Sequence, residues 1–257
     1  MGKIVAFSNQ KGGVGKTTTC VNMSACLASV GKKVLLLDLD PQGNATSSLG
    51  VEKIDELKGI YNVIIGDVNI EDVVKRTKYQ NLDIIPADIN LAGAEIDLVQ
   101  MENREKVLKR ALDKIKDSYD YITIDCPPSL GLLTVNALTS ANSIIIPILC
   151  EFLSLEGLTQ LMNTVWLVKQ HLNSGLEIEG VVLTMKSARS NLVNQVSAEI
   201  RKFFDKKVYN TAIPRNVRVA EAPSYGESVI EYDPKCKGAQ AYMELTAEFL
   251  KRNKERV

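Results

Sequence analysis

The residues with the plainest chemical purpose are Lys11-Gly12-Gly13-Val14-Gly15-Lys16-Thr17-Thr18, which follow a short apolar run and lead straight into a helical stretch. Glycines at 12, 13 and 15 let the backbone take positive φ and approach an anion closely, so successive N–H groups can point into one concavity. A helix N-terminus adds partial positive charge, Lys16 can reach the outer phosphates of a nucleotide, and the Thr17 hydroxyl can ligate Mg2+. Two acidic positions complement this loop. Asp125 closes the run Tyr121-Ile122-Thr123-Ile124, and Asp38 opens Asp38-Leu39-Asp40-Pro41-Gln42-Gly43-Asn44 at the end of another. In a parallel sheet both would stand on the edge where ligands bind. Phosphoryl transfer to water needs chiefly a positioned water, a metal and charge stabilisation. Asp125 is therefore read as a Walker B metal acid, and Asp38 as part of the magnesium shell.

Other chemistries are poorly provided for. His171 is the only histidine, which argues against Ser/His/Asp and Cys/His catalysis and leaves no histidine-rich metal site. The five cysteines are odd in number, scattered and free of C-x-x-C pairs, so neither a disulfide framework nor a zinc site is expected, and Cys126 reads as a small packing residue. No arginine stands near Asp40 or Asp125 in the sequence, and P-loop enzymes without one turn over slowly until a partner accelerates them by about 10³–10⁵. Weak, stimulated turnover is expected.

The elements that must position these residues are legible as short β-branched runs at 4–8, 33–39, 82–85, 121–125, 143–149, 180–185 and 208–213, several apolar at nearly every position. Such strands are buried on both faces. Helical periodicity occupies 16–30, 103–116, 155–172, 192–204 and 238–253, the first ending at Gly31. The alternation predicts one doubly wound α/β domain over 1–257, its mostly parallel sheet carrying helices on both faces. Residues 50–80 are the least regular and are expected to form a surface excursion. Pro127 and Pro128 stiffen the turn after Asp125, so an event at a terminal phosphate could pass to the next helix as a defined movement.

The chain has 257 residues, 45% of them hydrophobic, with Lys and Arg equal to Asp and Glu at 31 each. Charge is unevenly placed: residues 181–257 hold 14 Lys and Arg against 9 Asp and Glu, which leaves the first 180 residues acidic. A basic last third can face a polyanion. No signal peptide precedes the first strand and no apolar run approaches the 18 residues of a membrane span, so a soluble cytoplasmic protein is expected.

The loop departs from the plain G-x-x-x-x-G-K-[ST] pattern: Gln10 stands at the first glycine, and an extra lysine, Lys11, precedes the others. This string resembles the deviant Walker A loop of the ParA/MinD group, which also includes the nitrogenase iron protein and the arsenite-pump ATPase. LLDLDPQGNATSSLG at 36–50, ITIDCPPSLGLLTVNA at 122–137, LEGLTQLMN at 155–163 and IPRNVRVAEAP at 213–223 resemble the ParA/Soj pattern in particular, across nearly the whole chain. The resemblance implies ATP with Mg2+ as cofactors and Lys11, Lys16 and Asp40 as catalytic residues. Lys11 would reach across a nucleotide-sandwich homodimer to the other copy's phosphates, and Asp40 would orient or activate the attacking water. Pro214 and Asn216 fall where the family contacts adenine, and Arg189 and Arg218 match residues implicated in non-specific DNA binding. A ParB-like partner would stimulate hydrolysis and release the dimer from the nucleoid. With the loop beginning at residue 11, the short form without an amino-terminal helix-turn-helix domain is expected.

Rival readings within the group differ in what the dimer touches. A MinD-like protein would bind membrane through an amphipathic carboxy-terminal helix, and Tyr242, Leu245, Phe249 and Leu250 do form a stripe followed by Lys251, Arg252, Lys254 and Arg256. Only Val257 is apolar in the last seven residues, and the helix is long enough to pack on the sheet. An iron-protein-like reductase lacks its cysteine cluster, and nothing names the second substrate pocket of an ATP-dependent ligase.

Overall fold

The computed structural model describes residues 2–52, 57–150, 154–186 and 191–254. Among them seven strands form one sheet: β1 (Lys3–Phe7), β2 (Val34–Asp38), β3 (Lys75–Arg76), β4 (Leu82–Ile85), β5 (Tyr121–Asp125), β6 (Ser143–Leu149) and β7 (Glu177–Thr184), in the order β3-β4-β2-β5-β1-β6-β7. All pair in parallel except β3, a two-residue strand added antiparallel to β4 at the edge. The helices are α1 (Lys16–Ser29), α2 (Asn44–Ser48), α3 (Ile60–Ile64), α4 (Leu91–Val99), α5 (Val107–Leu112), α6 (Leu132–Ser140), α7 (Ser154–His171), α8 (Asn191–Phe204), α9 (Val217–Glu221), α10 (Val229–Tyr232) and α11 (Lys237–Arg252).

The continuous apolar runs are explained by two cores, one on each face of the sheet. Ile4 and Ala6 of β1, Leu35 and Leu37 of β2 and Ile122 and Ile124 of β5 point to one core, shared with α4, α5, α6 and α7. Val5, Phe7, Val34, Leu36 and Tyr121 point to the other, shared with α1 and α11. Because side chains alternate along a strand, a chain covered on both sides needs apolar residues at every position. Helix α1 is buried nearly all round, and its small residues Thr19, Cys20, Ser24, Ala25 and Ala28 let it lie close to the sheet. Ser24 there shares a 2.7 Å hydrogen bond with Thr123 of β5.

Three expectations are corrected. Residues 208–213 run beside β7 but form only isolated bridges, Val181 with Val208 and Lys186 with Pro214. The amides of Asn210 and Thr211 instead donate to the Glu248 carboxylate of α11, at 2.9 and 3.0 Å, and Pro214 has no N–H to continue a ladder. The helix expected at 103–116 is broken: a 3₁₀ turn at Arg104–Lys106 leads into the short α5, and another follows at Lys116–Ser118. Asn136 of α6 enters this break, accepting from Leu108 N–H at 3.1 Å and donating to the Arg104 carbonyl at 2.8 Å. Finally, the irregular 50–80 stretch is no mere surface excursion. Ile60, Val63, Ile64, Ile70 and Val73 all lie in the first core, and β3 extends the sheet.

Replacing Glu248 with alanine would remove the acceptor of the exposed Asn210 amide and the part-buried Thr211 amide, at a cost of about 0.5–1.5 kcal/mol for each bond. A clear fall in Tm by calorimetry is expected for Glu248→Ala, and an unchanged Tm would mean that water serves these amides equally well.

Candidate functional site

The register of the central strands places the acids. Phe7 of β1 pairs with Asp125 of β5, and Asp125 pairs with Asp38 of β2, so three strands end level at one edge of the sheet. The glycine loop leaves that edge directly from β1. The central strands stay parallel, but the chain crosses from β1 towards β2 and β4 on one side and later from β5 towards β6 and β7 on the other, and this change in the direction of the connections opens a crevice at the strand ends.

The loop is braced from several sides. Asn9 Nδ2 donates to the Pro147 carbonyl of β6 at 2.7 Å, while its Oδ1 accepts from Lys11 N–H at 3.1 Å. Thr184 at the end of β7 donates its hydroxyl to the Val14 carbonyl at 2.8 Å, and Val14 itself is buried. Gly13 and Gly15 have φ of 70° and 81°, values that side chains resist. Gly12 and Gly13 are exposed, and a Cβ on either would meet no atom within 4 Å, so their backbone borders open space. Gly15 caps α1 with no side-chain acceptor for the first-turn amides, which are thereby left to an external anion. Lys16 is buried at this helix start, Thr17 and Thr18 are half-buried on its first turn, and Lys11 is half-buried at the loop's entrance.

Asp125 lies directly beneath. It is fully buried, and neither carboxylate oxygen accepts a hydrogen bond of good geometry from the protein. Burial, then the neighbouring Asp38 charge, pushes its carboxyl well above the usual range, against the opposing pull of Thr17 and Lys16. Thr17 is near enough to favour the charged form without completing a full hydrogen bond to it. A buried carboxylate with both oxygens unused, beside a threonine hydroxyl and a lysine, fits a divalent cation bridging protein and phosphate. Thr17 and Asp125 can hold Mg2+ here.

Asp38 is differently employed. Its Oδ2 accepts from the Thr46 amide at 2.8 Å and the Thr46 hydroxyl at 2.7 Å, and its Oδ1 accepts from Asp40 N–H at 3.2 Å. Burial raises its carboxyl to about 6, Thr46 acting against the rise. With Oδ2 filled, only Oδ1 retains capacity for a metal or its water. Asp40 is buried just beyond, its Oδ1 accepting from Gln42 N–H at 3.0 Å and its carbonyl from Gly43 N–H at 2.8 Å.

Beside Gly15 and Thr18 opens a cavity of about 360 Å³, lined by Met185, Ile213, Pro214, Asn216, Val219 and Tyr242 among others. Its apolar walls and size suit a flat heterocycle. Pro214 and Asn216, expected at adenine, thus join the loop. Asn216 Oδ1 also caps α9 by accepting Val219 N–H at 3.3 Å. Met185 and Val219 were not singled out from the sequence, and Tyr242 was read there only as part of the carboxy-terminal apolar stripe, not as a wall of this cavity. Their signal was weak, since each is an ordinary apolar residue whose place at the crevice follows from how the end of β7, helix α9 and the first turns of α11 come together beside α1.

The expected DNA contacts are not assembled with these groups. Arg189 lies outside the described residues. Arg218 sits on α9 with its guanidinium shared between Glu221 at 2.9 Å and Asp233 at 3.5 Å, both partners partly exposed.

Comparison with known proteins agrees with this geometry. A family model described as an AAA domain matches residues 2–178. The sporulation initiation inhibitor protein Soj of Bacillus subtilis (strain 168) is 60% identical over 248 residues, 96% of this chain and 98% of that protein. The chromosome partitioning protein ParA of Myxococcus xanthus is 49% identical over 253 residues, 98% of this chain and 89% of that protein. Among solved structures, the cobyrinic acid a,c-diamide synthase of Mycobacterium smegmatis with bound ATP analogue and magnesium superposes with a TM-score of 0.87 at 38% identity, covering 99% of this chain and 96% of that one.

An unpaired buried carboxylate costs stability that a neutral isostere would recover. Asp125→Asn should therefore raise the Tm of the nucleotide-free protein, by about 2–4 °C for each kcal/mol regained, while abolishing Mg2+-dependent turnover. For Asp38 the sign is similar: its folded value lies above the ordinary 3.8, so stability falls as pH rises through that range to about 6. A lower Tm for Asp125→Asn would show that its charge is compensated in the free protein.

Proposed function

Because the chain belongs to the ParA/Soj family of partitioning ATPases, as whole-length relatives show, we propose that it is a DNA-partitioning switch driven by ATP binding and hydrolysis. The observation that carries the reading is the in-register placement of Asp38 and Asp125 beneath an exposed, braced glycine turn. The backbone amides of residues 12–16 grip the phosphates, with Lys16 neutralising their charge. The base enters the cavity against Pro214 and Asn216. Mg2+, held by Thr17 and Asp125 with Asp38 behind, supplies neutralisation of the charge that develops on the transferring group.

Asp40 orients the attacking water, its carboxylate plane fixed by the Gln42 amide. Lys11 of each copy reaches the phosphates of the other, so a bound triphosphate joins two chains. The joined pair presents the basic last third, with Arg189 and Arg218, to DNA without regard to sequence. Since Arg218 is held by Glu221 and Asp233, its contact with a phosphate requires exchange of those partners. A ParB-like protein accelerates hydrolysis, and the copies part in the cytoplasm over the nucleoid.

Opposing the MinD-like alternative, Tyr242, Leu245, Phe249 and Leu250 of α11 are buried in the second core, so the stripe faces the sheet. Among the described residues no helix is long and apolar enough to cross a membrane.

DNA co-sedimentation with ATP, with ADP and without nucleotide tests the whole scheme, with pelleting expected for ATP alone. Lys16→Ala should abolish that pelleting, and retention of ATP-dependent DNA binding in this variant would separate the loop from the DNA. Asp40→Ala should bind ATP, lose hydrolysis and accumulate as a dimer in light scattering; a monomer there argues against the role. Arg189→Ala should weaken all DNA sequences alike and flatten the log–log salt slope by about 1.

A further inference from the structure

Thr46 stands between the site and the sheet, on the short helix α2, fully buried. The neighbouring hydroxyls take the local route that serine usually takes in a helix: Ser47 donates to the Gly43 carbonyl at 3.3 Å and Ser48 to the Asn44 carbonyl at 2.6 Å. Thr46 does not. Its hydroxyl donates 2.7 Å to Asp38 Oδ2 and accepts the Ala87 amide, just past the end of β4, at 3.0 Å. Its own amide donates to the same Asp38 oxygen at 2.8 Å. Asp38 in turn holds the amide of Asp40 with its other oxygen, at 3.2 Å.

From this chain of hydrogen bonds we infer that Thr46 is a positioning residue for hydrolysis, fixing through Asp38 the backbone that carries Asp40. Two bonds from one residue saturate Asp38 Oδ2 and leave the carboxylate one orientation, in which Oδ1 faces the Asp40 amide. The bonds lie in a site shielded from water, where charge-assisted hydrogen bonds are short and strong. The threonine methyl narrows the choice of χ1, so the hydroxyl reaches donor and acceptor together. The Ala87 bond anchors the far end to β4, which is itself paired with β2. Asp40 thus inherits its place from the sheet by way of Thr46, although it lies on a loop.

The inference rests on the reading that Asp40 orients the water, and the test separates the two. Steady-state hydrolysis of Mg·ATP by the full chain is compared for the wild type, Thr46→Val, Thr46→Ser and Asp40→Ala, with Tm measured for each. Thr46→Val keeps the shape but removes the hydroxyl: kcat should fall about tenfold or more, in the manner of a displaced catalytic group, with KM for ATP changing less than about twofold. Thr46→Ser should restore most of the turnover, and Thr46→Val added to Asp40→Ala should cost nothing further. If Thr46→Val does not fold, Thr46→Ala supplies the same comparison. Wild-type kcat in the hydroxyl-free variant while Asp40→Ala is inactive would overturn the inference alone. Equal losses in the serine and valine variants, or a KM effect without a kcat effect, would overturn it as well. Wild-type turnover in Asp40→Ala would instead remove the Asp40 reading beneath it.

Discussion

Two carboxylates, Asp38 and Asp125, are paired side by side at the ends of adjacent parallel strands and cut off from water. Burial opposes the ionisation of both, joined by the Asp38 charge at Asp125 and by the Asp40 charge at Asp38, and each carboxyl is raised. A fold under selection for stability alone would place neutral residues there. The two acids relieve the strain by different means. Asp38 has Oδ2 filled by the Thr46 amide and hydroxyl and Oδ1 taken once by the Asp40 amide, whereas Asp125 keeps both oxygens unused beneath the glycine turn. One therefore organises its own chain, and the other is supplied with no donor of comparable geometry.

The remaining architecture holds the opposing charges in place. Helix α1 approaches the sheet closely because its buried residues are small, and Ser24 ties it to Thr123, two positions before Asp125. The loop between β1 and α1 is fastened to β6 through Asn9 and to β7 through Thr184. Donors fixed before an anion arrives need no reorganisation when charge develops on it, which is the main source of electrostatic catalysis. The same fastening borders the neighbouring cavity, because its walls come from Thr184 and Met185 after β7, the segment from Ile213 through α9, and Tyr242 of α11, set against Gly15 and Thr18.

Where local pattern misled, a single tertiary partner usually explains it. The run at 208–213 has the composition of a strand, but Glu248 captures two of its amides from the neighbouring helix. The helical run at 103–116 is interrupted where Asn136 takes its backbone groups. The irregular 50–80 stretch gave no period because its apolar residues reach the core from short turns of different kinds.

What the amino-acid sequence determined by itself was the doubly wound sheet, the glycine-rich turn ahead of α1 and the presence of two acids at strand ends. These are encoded by neighbours in the chain: unbroken apolar runs, glycines just before a helix, and an aspartate closing β2 and β5. Tertiary structure alone decided how the acids share their work, because Asp38 and Asp125 look alike in sequence and differ only in which donors the fold brings to them. It also decided that Pro214, Asn216 and Tyr242 meet Gly15 across some two hundred residues of chain, and that Thr46 faces Asp38 and not its own helix. Hydrogen-bond direction and burial depend on distant elements arriving at one place, and no local spacing records that arrival.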